Sequence, residues 1–238
     1  MNKYFLYILF VIIFVSCKKE VQTIFIESDF STDKHTNVHI NIPVAIGDIS
    51  ISEKINSRLI KNVSTALQIG SPENKNLKSI EESVVDFTNE FNNFKKEFPE
   101  NKQQWEAQLD GEILFQSTEI ITIAITSYVN TGGAHGSLNI SLLNFNAESG
   151  EEIENSNLFN DIKDFKNIAK PYFEKETEDK DLLDASEDFK LPTNIGYNDE
   201  GVILIYNTYE VAPYSSGIIE FMIPFKKVNS CLVFKSSF

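Results

Sequence analysis

Two alternating runs on either side of a glycine-rich turn constrain this chain more than any other feature. Residues 118–159 read TEIITIAITSYVNTGGAHGSLNISLLNFNAESGEEIENSNLF. Ile121, Ile123 and Ile125 occupy every second position and so share one face of an extended strand. The turn Thr131-Gly132-Gly133-Ala134-His135-Gly136 follows. In the second run Ile140, Leu142 and Asn144 share one face, and Leu143 and Phe145 the other. Asn146 to Gly150 returns the chain, and Asn157-Leu158-Phe159 leads into a helix. These residues predict a meander of antiparallel strands.

Before the meander, Val38 to Ile42 alternates as a strand that Pro43 ends or confines to an edge. Residues 48–68 read as a helix with Ile51, Ile55, Leu59, Val63, Ala66 and Leu67 on one face, and Ser50 and Glu53 have capping-box spacing. Leu77, Ile80, Val84, Phe87, Phe91, Phe94 and Phe98 step by alternating threes and fours, which predicts a helix with a phenylalanine stripe facing the core. Residues 105–116 read as a strand with Leu109, Ile113 and Phe115 inward and a bulge or turn at Asp110-Gly111. After the meander, residues 161–178 form a helical pattern interrupted by Pro171. An acidic run over 174–188 reads as a solvated helix end and loop. Residues 195–206 predict a hairpin about Asn198-Asp199-Glu200-Gly201. An aromatic loop follows at 209–214, then a strand at 218–223 and a helical turn at 225–229.

The N-terminus indicates where the chain resides. Lys3 precedes twelve apolar or aromatic residues, Tyr4 to Val15. As a helix these reach roughly 18 Å, short of a ~30 Å hydrocarbon core, and fit a secretory h-region. Phe14-Val15-Ser16-Cys17 resembles a bacterial lipoprotein processing site. On that resemblance residues 1–16 are a signal peptide, Cys17 is lipidated, residues 17–29 are anchor and tether, and the protein is a membrane-anchored lipoprotein of the cell envelope. Only Cys17 and Cys231 exist, so lipidation of Cys17 leaves no disulfide, and the core must supply stability. The formal net charge is −14. That balance argues against nucleic acid and anionic lipid as electrostatic partners and favours a cationic one, besides conferring solubility.

Tyr128, the Thr131–Gly136 turn, Asn144-Phe145, Gly150, Leu158-Phe159, then Tyr209-Glu210-Val211-Ala212-Pro213-Tyr214, Gly217 and Ile223-Pro224 resemble the RsiV/PdaC-type domain of unknown function. Residues from about 38 to 117 resemble the smaller domain that usually precedes it. The resemblance implies an α+β fold of two subdomains, each a mainly antiparallel sheet packed by one or two helices, here residues 30–117 and 118–238. RsiV-like anti-sigma factors bind lysozyme with this domain; PdaC-like proteins carry it ahead of a peptidoglycan deacetylase domain. Sixteen residues precede Cys17 and nothing follows Phe238, so neither a cytoplasmic sigma-binding segment nor an attached deacetylase is expected.

Thr131, Gly132, Gly133, His135, Tyr209, Glu210 and Tyr214 are the candidate binding residues, through the turn's N–H groups, the imidazole and the aromatic loop. The alternative is structural, because three glycines allow positive φ and a tight strand connection. No Ser or Cys can be assigned a paired base, and the many carboxylates cannot be paired from sequence. No catalytic residue and no cofactor is therefore assigned. His35 and His39 have a metal-like spacing, but an extended context separates them by roughly 13 Å, so no metal is assigned. The reading is a monomeric, non-enzymatic envelope lipoprotein that binds a lysozyme-like cationic protein or peptidoglycan. A peptidoglycan-modifying enzyme or deacetylase accessory, and a purely structural lipoprotein, are the alternatives.

Overall fold

A computed structural model describes residues 23–33, 36–70, 78–183 and 189–235. The signal peptide, Cys17, His35 and Leu77 of the sequence reading lie outside these residues. The fold is α+β in two subdomains. The first is a five-stranded sheet in the order β1-β2-β3-β4-β5, made of β1 (Ile24–Thr32), β2 (Asn37–Ile46), β3 (Glu106–Gln116), β4 (Ile120–Asn130) and β5 (Ser137–Asn146). All its pairings are antiparallel except β2 with β3, which run parallel over Asn37–Asn41 and Glu106–Asp110. The second is an antiparallel sheet of β6 (Asn194–Tyr197), β7 (Gly201–Tyr206) and β8 (Ile219–Pro224).

Helices α1 (Ile49–Leu67) and α2 (Ile80–Glu97) cover one face of the large sheet. Their apolar stripes meet Ile40, Leu109, Ile121, Ile123, Ile125, Leu143 and Phe145 in a single core. The phenylalanine stripe faces the core except at its end: Val84, Phe87 and Phe91 are buried, Ile80 and Phe94 partly so, and Phe87 and Phe91 bracket Trp105 at 5.5 and 5.7 Å between ring centroids, whereas Phe98, the C-cap just past the last turn of α2, is 49% exposed. Each such buried side chain contributes about 1.5–3 kcal/mol relative to exposure. Helix α3 (Ile162–Glu176) packs Phe165, Ala169 and Phe173 on the small sheet, and α4 (Phe225–Val228) closes its end. Pro171 sits inside α3 and does not end it.

Several local expectations differ from what the chain does. Residues 24–29, expected in the tether, belong to β1, where Ile24 to Thr32 pair with Ile46 to Val38. Acidic Glu27 and Asp29 break the apolar alternation there, which hid the strand. Pro43 does not end β2; it lies past the last β2–β3 pair at Asn41, so its missing N–H costs that ladder nothing. The register shift of β3 falls between Ile113 and Phe115 rather than at Asp110-Gly111. Asp48, not Ser50, caps α1 by accepting from Ser50 N and Ile51 N, whereas a true capping box is formed by Ser79 and Glu82 at α2. Residues 117 and 118, the expected domain border, fall between β3 and β4, which pair along nearly their whole length.

The two sheets meet through side chains. Asn144 and Thr122, both buried, lie on the face of β4–β5 turned away from α1 and α2. Thr122 Oγ1 donates to Asn144 Oδ1 at 2.7 Å, Asn144 Nδ2 donates to Ile195 O at 2.7 Å, and Tyr197 N donates to Thr122 Oγ1 at 3.2 Å. Those groups satisfy β6. In return Asn207 binds Ile140 through both N and O at 2.8 Å, and Asn194 Oδ1 accepts from Leu142 N at 3.0 Å, closing the edge of β5. Leu142, Ile203 and Ile205 fill the space between.

Asn144→Ala strands the Thr122 hydroxyl and the Ile195 carbonyl in the interior and leaves a small void. It is expected to lower stability by about 2–4 kcal/mol, read as a lower urea midpoint at an unchanged slope. Cys231, buried at the start of the last segment, donates to Asp164 Oδ2 at 3.2 Å; burial first, and that carboxylate second, push its thiol above the ordinary range. The folded protein at about pH 8 is expected to resist iodoacetamide at Cys231 and to react fully in urea, as counted by intact mass.

Candidate functional site

The Thr131–Gly136 turn and the Tyr209–Tyr214 loop, 73 positions apart at their nearest ends, come together at one end of the β5–β7 joint. The turn connects β4 to β5. Of its three glycines only Gly132 has positive φ (+87°), and its N–H donates to Asn130 Oδ1 at 3.0 Å. Gly136 is required for another reason: a Cβ there would overlap the Tyr128 ring. Gly133, Ala134 and His135 are exposed, while Thr131 and Gly132 are half-buried.

His135 lies flat on Tyr214, with ring centroids 3.8 Å apart and planes at 18°. Both rings converge on one carbonyl: Tyr214 Oη donates to Gly136 O at 3.3 Å, and His135 Nδ1 is 3.1 Å from it. Tyr209 stands 5.9 Å from Tyr214, takes φ of +68° and is 58% exposed. A non-glycine residue held at positive φ is uncommon and costs energy that the neighbouring structure must offset. Here Tyr209 N donates to Ala212 O at 3.1 Å. The three rings form a ledge that is open to solvent and fixed from behind.

Glu210 is part of the support. Its Oε1 accepts from Thr193 N at 2.8 Å and its Oε2 from Asn207 N at 3.0 Å. Both oxygens therefore hold main chain, and the Asn207 that Oε2 positions is the residue that grips Ile140. Neighbouring Tyr206 is buried and donates to Lys190 O at 2.6 Å; burial first, then the charge of Glu210, push its phenol well above the ordinary range. Of the seven candidate residues, the structure groups His135, Tyr209 and Tyr214 as the accessible surface. Gly132, Gly133 and Thr131 shape the turn, and Glu210 braces the loop. Asn207 and Thr193 escaped the sequence reading. The Asn-x-x-Glu spacing of Asn207 and Glu210 was their one local signal. His39, on β2, lies 3.8 Å from Asp29 and away from this ledge in the sheet order. Among the described residues no group of three or more His, Cys, Asp or Glu is placed to hold a metal.

Such a surface presents ring faces, one imidazole and main-chain groups on a rigid support. It is suited to recognition: apolar C–H groups and cations both pack on aromatic faces. The protein is thus a two-sheet α+β molecule with an aromatic ledge where its two parts join. Comparison with known families gives the kinship. Residues 31–138 match the family described as "Deacetylase PdaC", and residues 151–226 match "Protein of unknown function (DUF3298)". The two matches lie one after the other along the chain and agree with the RsiV/PdaC-type resemblance that its motifs indicated. The Thr131–Gly136 turn falls at the end of the first match and the Tyr209–Tyr214 loop within the second. Similar solved structures include two crystal structures. One, of a DUF3298 family protein from Pseudomonas aeruginosa PAO1, has a TM-score of 0.59 at 15% identity, over 88% of this chain and 93% of that one. The other, of a DUF3298 family member from Bacteroides fragilis NCTC 9343, has a TM-score of 0.62 at 18% identity, over 90% of this chain and 93% of that one. At these identities the likeness speaks for the fold. No curated protein matches the chain.

Gly136→Ala is expected to push the Tyr128 ring out of place at a cost of about 1–3 kcal/mol. The check is a lowered melting temperature, together with shifted NMR signals of the Tyr128 and Tyr214 rings.

Proposed function

We propose that this protein is a non-enzymatic binding module, displayed in the cell envelope on a lipidated Cys17, whose aromatic ledge receives a cationic, lysozyme-like protein. The carrying observation is the exposed Tyr209 beside the stacked His135–Tyr214 pair. Arg and Lys side chains of a partner would lie on these ring faces, each contact being worth about 0.5–2 kcal/mol. The net charge of −14 would speed encounter with such a partner. The resemblance to RsiV-like domains points the same way. Glu210, with both oxygens engaged by main-chain N–H groups, supports binding rather than proton transfer at this spot.

A second reading keeps the ledge and changes the ligand. Exposed tyrosine faces also pack against the C–H faces of sugar rings, which favours a peptidoglycan glycan. The description of the first family match, with its deacetylase, leaves room for service as an accessory to an enzyme of that wall.

The test is a titration of residues 18–238 with lysozyme and, separately, with purified peptidoglycan. Lysozyme binding is expected to weaken markedly between about 50 and about 500 mM salt as charges are screened. Tyr209→Ala is expected to weaken it a further three- to tenfold, roughly 0.7–1.4 kcal/mol, with the fold unchanged by circular dichroism. Retention by peptidoglycan alone selects the glycan reading. Retention by neither defeats both.

A further inference from the structure

The apolar side chains of the large sheet are covered unequally. On the face of β4 and β5 turned away from α1 and α2, Ile203, Ile205 and Ile218 of the second subdomain seal them. At the start of β1 and the end of β2, several isoleucines stay exposed. There Ile24 is 59% exposed, Ile26 50% and Ile46 38%. The register pairs Ile24 with Ile46 and Ile26 with the half-buried Val44, so these side chains stand together at the end of the β1–β2 pair. Ile49, three residues beyond Ile46, is 73% exposed. Isolated exposed apolar residues need no explanation, but isoleucines paired across two strands make a patch.

The patch lies where the chain enters the fold. Ile24 is seven residues after Cys17, a distance that even a fully extended chain covers in at most roughly 25 Å. We propose that this isoleucine rim is a second membrane contact: once Cys17 is acylated, Ile24, Ile26, Ile46 and Ile49 rest in the headgroup–acyl boundary of the same bilayer. The inference rests on the lipoprotein reading of Cys17. It commits to a neutral, zwitterionic surface, because the acidic Glu27 and Asp29 follow on β1 and Asp48 sits between Ile46 and Ile49, its carboxylate occupied in capping α1. An acyl anchor combined with an apolar contact holds a domain in one orientation, as an acyl chain on a loose tether does not. Rim and ledge then have separate duties: one faces lipid and the other faces outward to its partner.

The test uses the full chain, processed in its host membrane, purified in detergent and reconstituted in phosphatidylcholine vesicles. An environment-sensitive fluorophore is placed on Ile26→Cys, and as a control on Glu220→Cys at an exposed site of β8. Intact mass first reports whether Cys17 is acylated. The proposal expects acylation, a blue-shifted emission at position 26 shielded from aqueous iodide, and neither effect at position 220. Adding Ile24→Ser and Ile46→Ser should abolish the shift at position 26 while circular dichroism stays the same. An acylated protein with identical emission at both positions overturns the rim contact and leaves the lipoprotein reading intact. An unacylated Cys17 overturns both. A shift that appears without vesicles and grows with protein concentration overturns the proposal in favour of self-association through this face.

Discussion

The architecture depends on a buried exchange of hydrogen bonds between two sheets that do not pair directly. Thr122 and Asn144 project from the large sheet and satisfy the main chain of β6 at Ile195 and Tyr197. Asn194 and Asn207 project from the small sheet's segment and satisfy the main chain of β5 at Ile140 and Leu142. Each sheet would otherwise bury unpaired N–H and C=O groups, at a cost comparable to a lost hydrogen bond for each. Side-chain amides carry a donor and an acceptor in one plane, so they can stand in for a neighbouring strand. Apolar contacts at Leu142, Ile203 and Ile205 add adhesion, but the polar pairs fix the register of one sheet against the other.

The ledge inherits its position from this exchange. Asn207, which grips Ile140, is itself held by Glu210, and Glu210 also holds Thr193. The loop carrying Tyr209 and Tyr214 is thereby tied to the strand that leaves the Thr131–Gly136 turn. His135 can then lie on Tyr214, with both directed at the carbonyl of Gly136. A binding surface assembled from two distant segments is rigid only if the parts carrying them are rigid relative to each other, and here the same residues achieve both.

The elements with strong periodicity were legible: the phenylalanine stripe of α2, the face of α1, the hairpin at Asn198–Gly201 and the alternation through β4 and β5. In each, the apolar spacing matches the period of the structure it forms. Strand β1 was not legible, because Glu27 and Asp29 interrupt its apolar residues and its pairing with β2 is decided by the neighbour. Caps and bulges were legible only as spacings. Ser50–Glu53 and Ser79–Glu82 both satisfy the capping-box pattern, and only the chain's path shows that Asp48 caps α1 while the second pair is a real box. At the candidate site, Tyr209, Tyr214 and His135 could be singled out as residue types. The bracing duty of Glu210 could not, because an exposed carboxylate and one holding two N–H groups read alike in sequence.

By itself the sequence determined the α+β composition, the core faces of its helices, the meander and the two motifs that mark its kinship, since these follow from local spacing and from residue types with few alternatives. The tertiary structure decided what long-range contact controls. It made one sheet of strands from both halves of the chain and gave Asn144, Thr122 and Asn207 their role as a joint. It also brought the turn and the aromatic loop into one ledge and left the isoleucines of β1 and β2 uncovered. The physical reason is that side-chain hydrogen bonds across 51 to 75 positions have no period and no local signature. They exist only once the chain has folded back on itself.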